Sequence, residues 1–170
     1  MDKYYKAAYW FGILGGVCCT LGFLLLYILG KEPVSFTEMI GYIVIPVFVF
    51  FGIKNFKDGV NGGELAFGQG MTVGFFVYSI LALISAIAIF IFLHIDPVIF
   101  EEYKLSNLAF LEGKKNEIIE QLDEASYNTT FNNISHMTVF DVAFNDFLRK
   151  VIPGLFFSII ISIILKNSKT

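Results

Sequence analysis

Four long apolar runs dominate the chain, at about residues 8–29, 37–56, 70–94 and 150–166, separated by short or strongly polar connections. About 20 apolar residues at 1.5 Å each cross a hydrocarbon layer of about 30 Å, and helices or closed barrels are the structures that satisfy their backbone there. The runs lack the period-2 alternation of a barrel strand. The pattern therefore predicts an all-α polytopic membrane protein, 1–170 as one membrane domain, with four transmembrane helices in two hairpins and an amphipathic helical insertion, 97–149, before the fourth. Gly30 and Pro33 punctuate the first hairpin. Ser35-Phe36-Thr37-Glu38 fits a capping box, placing Ser35 as the N-cap of the second helix. Pro46 is expected to kink that helix.

Composition strengthens this picture: 56% of residues are hydrophobic, 20 are Phe, and the mean hydropathy is +0.70. A soluble domain holds roughly 45–50% apolar residues. The first run follows Lys3 and Lys6 as a signal peptide would, yet it has no small-x-small site and is read as a retained helix. Cys18 and Cys19 are adjacent within it, a spacing that suits neither metal binding nor a redox pair, so both are expected to be buried, inert thiols. A net charge of −3 gives no grip on nucleic acid. No nucleophile–base pair or metal-ligand spacing is visible; His136 stands alone and His94 falls at the end of the third run. Neither enzyme activity nor a cofactor is expected.

Lys and Arg in short connections set orientation. Lys3 and Lys6 precede the first span, Lys54 and Lys57 separate the second and third, and Lys166 and Lys169 follow the fourth. The other side has Lys31 and a long segment with an acidic excess. Both termini are thus expected in the cytoplasm, although Arg149-Lys150 before the fourth span counts the other way.

The connection Gly52–Gly70 has the most distinctive composition. Its glycines could serve a backbone anion site, but it lacks G-K-[ST], a preceding strand and the G-x-G-x-x-G spacing. Asn61-Gly62-Gly63 reads more simply as a turn, with Lys54, Lys57 and Asp58 anchoring at the membrane surface and Phe67 beside them. Asp58 and Glu64 are the carboxylates that could sit at the mouth of a pathway. No ionisable residue falls near the centre of the four runs, which disfavours an ion-coupled carrier. Small residues recur every four positions at Ala8, Gly12, Gly16 and Thr20, and again at Gly70 and Gly74. Such faces let membrane helices approach closely, within the chain or between copies.

In the insertion, Leu105, Leu108, Leu111, Ile118, Ile119 and Leu122 follow helical spacing, with Gly113 as a break. Residues 125–133 read as a polar turn. Thr138-x-x-Asp141 caps a further stretch in which Phe140, Phe144, Phe147, Leu148 and Val151 form a stripe towards the fourth span, and Pro153-Gly154 is expected to bend it.

Gly52-Ile53-Lys54-x-Phe56-Lys57-Asp58, Gly62-Gly63, Phe67-Gly68-x-Gly70, Gly74 and Pro153-Gly154-Leu155 with Ser158, Ser162 and Leu165-Lys166 together carry a resemblance. The chain resembles domain-of-unknown-function family 4199, small four-helix membrane proteins of Bacteroidota. That resemblance implies the bacterial cytoplasmic (inner) membrane and supplies no catalytic residue. The expected function is a non-enzymatic accessory or scaffold subunit of an inner-membrane complex, in contact with membrane lipid and other membrane proteins. The alternative is a small homo-oligomeric transporter or channel.

Overall fold

The computed structural model describes residues 2–167, and among them the chain is helical throughout save for turns and one isolated bridge. Its elements are α1 (Asp2–Ile28), α2 (Pro33–Asn55) continued by a π-helical turn (Phe56–Val60), α3 (Phe67–Ile95), α4 (Pro97–Gly113), α5 (Lys115–Gln121), α6 (Glu124–Ser135) and α7 (Val139–Leu165). Four helices, α1, α2 with its π-helical extension, α3 and α7, are long and apolar enough to cross a membrane. Each of the four predicted apolar runs falls on one of these helices, all of which start ahead of the predicted bounds, while α1 and α7 end one residue short of them at Ile28 and Leu165. Lys169 and the side chain of Glu38 lie outside the described residues.

The chain forms two compact units, Met1–Ile89 with Phe144–Thr170, and Phe90–Ala143. The first is a helix bundle whose core includes Cys19, Ile45, Val49, Ile53, Val73, Val77, Leu81 and Ile161. Its outward faces carry Leu14, Leu21, Ile43, Val47, Phe75, Leu83, Phe156 and Ile160. Apolar side chains on both inside and outside are what a lipid solvent permits.

Close approach in the bundle follows the small residues. A Cβ at Gly12 would lie 2.7 Å from the Ile80 Cβ, and one at Gly16 2.7 Å from the Ile84 Cβ, so α3 presses isoleucines directly onto the α1 backbone. The glycines of α3 accept a different partner: a Cβ at Gly70 would lie 2.6 Å from Ser162 Oγ, and Gly74 meets Ser158 of α7 in the same way. The two small-residue faces thus both pack within one chain, but not against each other. Ser158 and Ser162 are buried without a hydrogen-bond partner for either hydroxyl.

The start of α2 differs from the predicted capping box. Glu32 is the N-cap, its carboxylate accepting from Val34 N–H at 2.8 Å and Ser35 N–H at 3.1 Å, and Pro33 occupies the first helical turn. Proline suits that position because its absent N–H would have no helical partner there. Ser35 is consequently inside the helix rather than ahead of it. The helix then continues unbroken through Pro46, and α7 through Pro153.

In the second unit, residues 125–133 are helix rather than turn. Asp123 caps α6 by accepting from Ser126 N–H, and Thr129 and Thr130 return their hydroxyls to the carbonyls of Ala125 and Ser126. Tyr127 on α6 is buried, with Lys115 Nζ 5.2 Å from its ring centre. The two threonines thus satisfy their hydroxyls against helical backbone here, and the segment is helical despite its turn-favouring composition. The break at Gly113 is present, separating α4 from α5.

Candidate functional site

The loop singled out by its glycines is a self-contained turn at the end of the bundle that carries the termini. The π-helical turn closes with Asn61 N–H on Phe56 O at 2.9 Å, and Gly63 N–H reaches Lys57 O at 2.8 Å. Gly62 and Gly63 adopt positive φ, 64° and 86°, which turn the chain back. Asn61 Nδ2 donates to Glu64 O at 2.8 Å, and Gln69 Oε1 accepts from Ala66 N–H at 2.9 Å and from Asn61 Nδ2 at 3.3 Å. Leu65 is fully buried and exchanges two backbone hydrogen bonds with Asn167, at 2.8 and 3.1 Å. Phe56 is buried beneath Tyr4 and Lys3, whose ammonium lies 5.6 Å from its ring centre. Tyr5, Tyr9 and Trp10 surround this end as interfacial aromatics do.

The predicted interaction residues divide accordingly. Lys54, Asp58 and Phe67 are exposed, Lys57 is half-buried, and Lys54 Nζ rests 5.9 Å from the Phe50 ring centre. Gly12, Gly16 and Gly74 are helix contacts within the bundle. The structure does not gather these residues into one site.

Instead, the bundle contains a charged cluster that apolar patterning passes over. Asp146 and Lys150 of α7, one helical turn apart, form an ion pair with side chains 5% and 2% exposed. Ser85 of α3, also buried, donates its hydroxyl to the second carboxylate oxygen of Asp146 at 3.0 Å. Cys19 of α1 is fully buried and within electrostatic reach of both charges, while Cys18 is exposed on the other side of the helix. The expectation that both thiols are buried therefore fails for Cys18, since neighbouring helix positions cannot share one face. From α2, Gly41 faces the Lys150 stem: a Cβ there would lie 3.4 Å from Cε and 3.6 Å from Cγ. Counted along each helix at about 1.5 Å per residue, these groups lie about 10 to 16 Å in from the end opposite the termini.

Two features of the sequence lead to this cluster. The Thr138–Asp141 box is formed, with Thr138 Oγ1 and N–H both donating to Asp141 Oδ2, at 2.7 and 2.8 Å. A helix that starts at Val139 and runs unbroken into the apolar segment must take Asp146 and Lys150 with it. The aromatic stripe then has the opposite sense to a soluble helix: Phe140, Phe144 and Leu148 are exposed, and Val142, Ala143, Asp146 and Lys150 are the buried side.

Four helices long and apolar enough to cross a membrane, with apolar side chains on their outward faces, define a multi-pass membrane protein. The chain belongs to DUF4199, a family described as proteins of unknown function, whose pattern it matches over residues 10–167. No curated protein and no solved structure matches it.

Proposed function

We propose that this is a small, non-enzymatic ion-coupled carrier of the bacterial cytoplasmic membrane, working as one bundle or a homo-oligomer. The observation that carries this function is the Ser85–Asp146–Lys150 cluster. Removing a carboxylate and an ammonium from water costs several kcal/mol for each ion even after relaxation, and ionisable groups inside spans characteristically mark ion or substrate pathways. The charge pair also supplies what the apolar runs lacked, and it moves the expected working centre from Asp58 and Glu64 to α7. Cytoplasmic termini are supported by Lys3, Lys6, Lys54, Lys57 and Lys166, all at the terminus-bearing end. The test is flux in vesicles reconstituted with the full chain and loaded with a pH- or cation-sensitive dye. Transport that Asp146→Asn abolishes supports a carrier, and vesicles no leakier than protein-free controls refute it.

An accessory subunit of an inner-membrane complex is the second function, favoured by the surface of the Phe90–Ala143 unit. Phe110 and Leu122 are each 70% exposed there, among charged neighbours. Such side chains fit a partner or the membrane surface. Crosslinking in native membranes followed by mild-detergent purification tests this, and a chain recovered free of other membrane proteins counts against it.

A further inference from the structure

The contacts between α3 and α7 keep one antiparallel register from the terminus-bearing end inwards. A Cβ at Gly70 would lie 2.9 Å from the Ser162 Cβ, one at Gly74 2.8 Å from the Ser158 Cβ, and one at Gly154 2.6 Å from the Tyr78 Cβ. About two turns further in, Ser85 hydrogen-bonds Asp146, the partner of Lys150. Other close approaches in the bundle are filled by isoleucine: Ile80 and Ile84 press on α1 at Gly12 and Gly16, and Ile40 presses on Gly22. Ser158 and Ser162, by contrast, are fully buried, aimed at the glycines of α3, and neither hydroxyl has a hydrogen-bond partner. The seam is clasped at its two ends, by Ser85 on Asp146 inside the bundle and by the two backbone hydrogen bonds of Leu65 with Asn167 at the mouth.

We propose that the α3–α7 seam is the water route of the carrier, shut in this structure, leading from the terminus-bearing end to the Asp146–Lys150 pair and lined by the Ser158 and Ser162 hydroxyls. This rests on the carrier function and names the helix pair that parts. Closed, the seam leaves two buried hydroxyls unsatisfied, a cost that parting removes because water can both donate to and accept from them. Glycine opposite serine also presents little apolar surface, so parting gives up less hydrophobic burial here than along the isoleucine-packed contact of α1 with α3. Opening is therefore least costly between α3 and α7. No charged side chain stands between Lys150 and Ser162 on α7, or between Gly70 and Ser85 on α3. Hydroxyls are the polar side chains the route offers, and they suit water and small hydrogen-bonding solutes.

The experiment is thiol labelling of the full chain in lipid nanodiscs with a charged, membrane-impermeant methanethiosulfonate, measured above the wild type, whose Cys18 and Cys19 set the background. Because a thiol reacts as its hydrated thiolate, Ser158→Cys and Ser162→Cys are expected to react at least about tenfold faster than Val49→Cys, an equally buried position at a similar distance along α2. Lys54→Cys, exposed at the end of α2, shows that the reagent reaches the protein. The proposal is overturned if folded Ser158→Cys and Ser162→Cys react no faster than Val49→Cys while Lys54→Cys is labelled. Hydroxyl-radical footprinting of the wild type serves should the cysteine variants fail to fold. Tyr78, 4% exposed on the seam, is expected to be oxidised well ahead of Phe23, 2% exposed on α1, and equal protection of the two overturns the route. A hydrated seam without any flux refutes the carrier and keeps the water route; flux across a seam that stays dry does the reverse.

Discussion

Gly41 of α2 and Lys150 of α7 fit as groove and stem, with the Lys150 Cε 3.4 Å from where a Gly41 Cβ would be. That separation is ordinary van der Waals contact, so Gly41→Ala fits without displacement and gains helix propensity of about 1 kcal/mol at most. Gly41→Leu drives its branches into the lysine stem, and overpacking of this kind costs about 1–3 kcal/mol. Thermal unfolding in detergent should therefore separate the two, with alanine at or above the wild type and leucine clearly below it.

The ion pair should be strongly non-additive. Removing one partner leaves an uncompensated buried charge, about 3–5 kcal/mol for Asp146→Ala or for Lys150→Ala. Replacing both with neutral groups of similar shape, Asp146→Asn with Lys150→Met, should cost far less than either single change. A double-mutant cycle on denaturant-induced unfolding measures this, and additive losses would show that the two side chains do not act as a pair.

The serines at the α3–α7 seam should be dispensable for stability. Neither hydroxyl has a partner, and each is pressed against a glycine. Ser158→Ala and Ser162→Ala remove a buried, unsatisfied polar group, so stability should hold or rise by up to about 1 kcal/mol. Gly70→Val should have the opposite effect, because a Cβ there would lie 2.6 Å from Ser162 Oγ, and loss of about 1–3 kcal/mol is expected. Unfolding midpoints of the three variants decide it.

In α6, pH should act through Asp123. Hydrogen bonds from Ser126, by side chain and backbone, hold its carboxyl below the ordinary aspartate value. A lowered folded-state value means that the cap stabilises the helix above the unfolded-state value and is lost as pH falls through the folded one. Amide exchange at Ser126, corrected for its intrinsic pH dependence, should accelerate on acidification in the wild type. In Asp123→Ala it should be fast throughout, and an unchanged pH response in that variant would assign the effect elsewhere.

The four spans were legible because a hydrocarbon layer demands length and apolarity, and residue type alone reports both. The ends of the helices were less so. Ser35 and Glu38 satisfy the spacing of a capping box, but Glu32 with Pro33 provides an earlier start, and local spacing cannot rank two competing caps. Residues 125–133 look like a turn because their polar side chains favour turns in isolation, whereas Asp123 supplies a cap and the threonine hydroxyls fold back onto the helix. The most instructive miss is Asp146 with Lys150. An apolar stripe normally marks the inner face of a helix, and Phe140, Phe144 and Leu148 drew attention to that side of α7. Within lipid the outer face is equally apolar, so hydrophobicity loses its power to tell in from out, and the charges become the better guide.

The one-turn separation of Asp146 and Lys150 also bears on how the protein is made. Charges that pair between different helices must wait in the bilayer for each other, exposed to lipid until assembly. Here acid and base lie on the same helix, so they can neutralise one another as soon as that turn of α7 forms. That pair can therefore form within α7 alone, and α2 and α3 need only provide the Gly41 surface and the Ser85 hydroxyl that receive it.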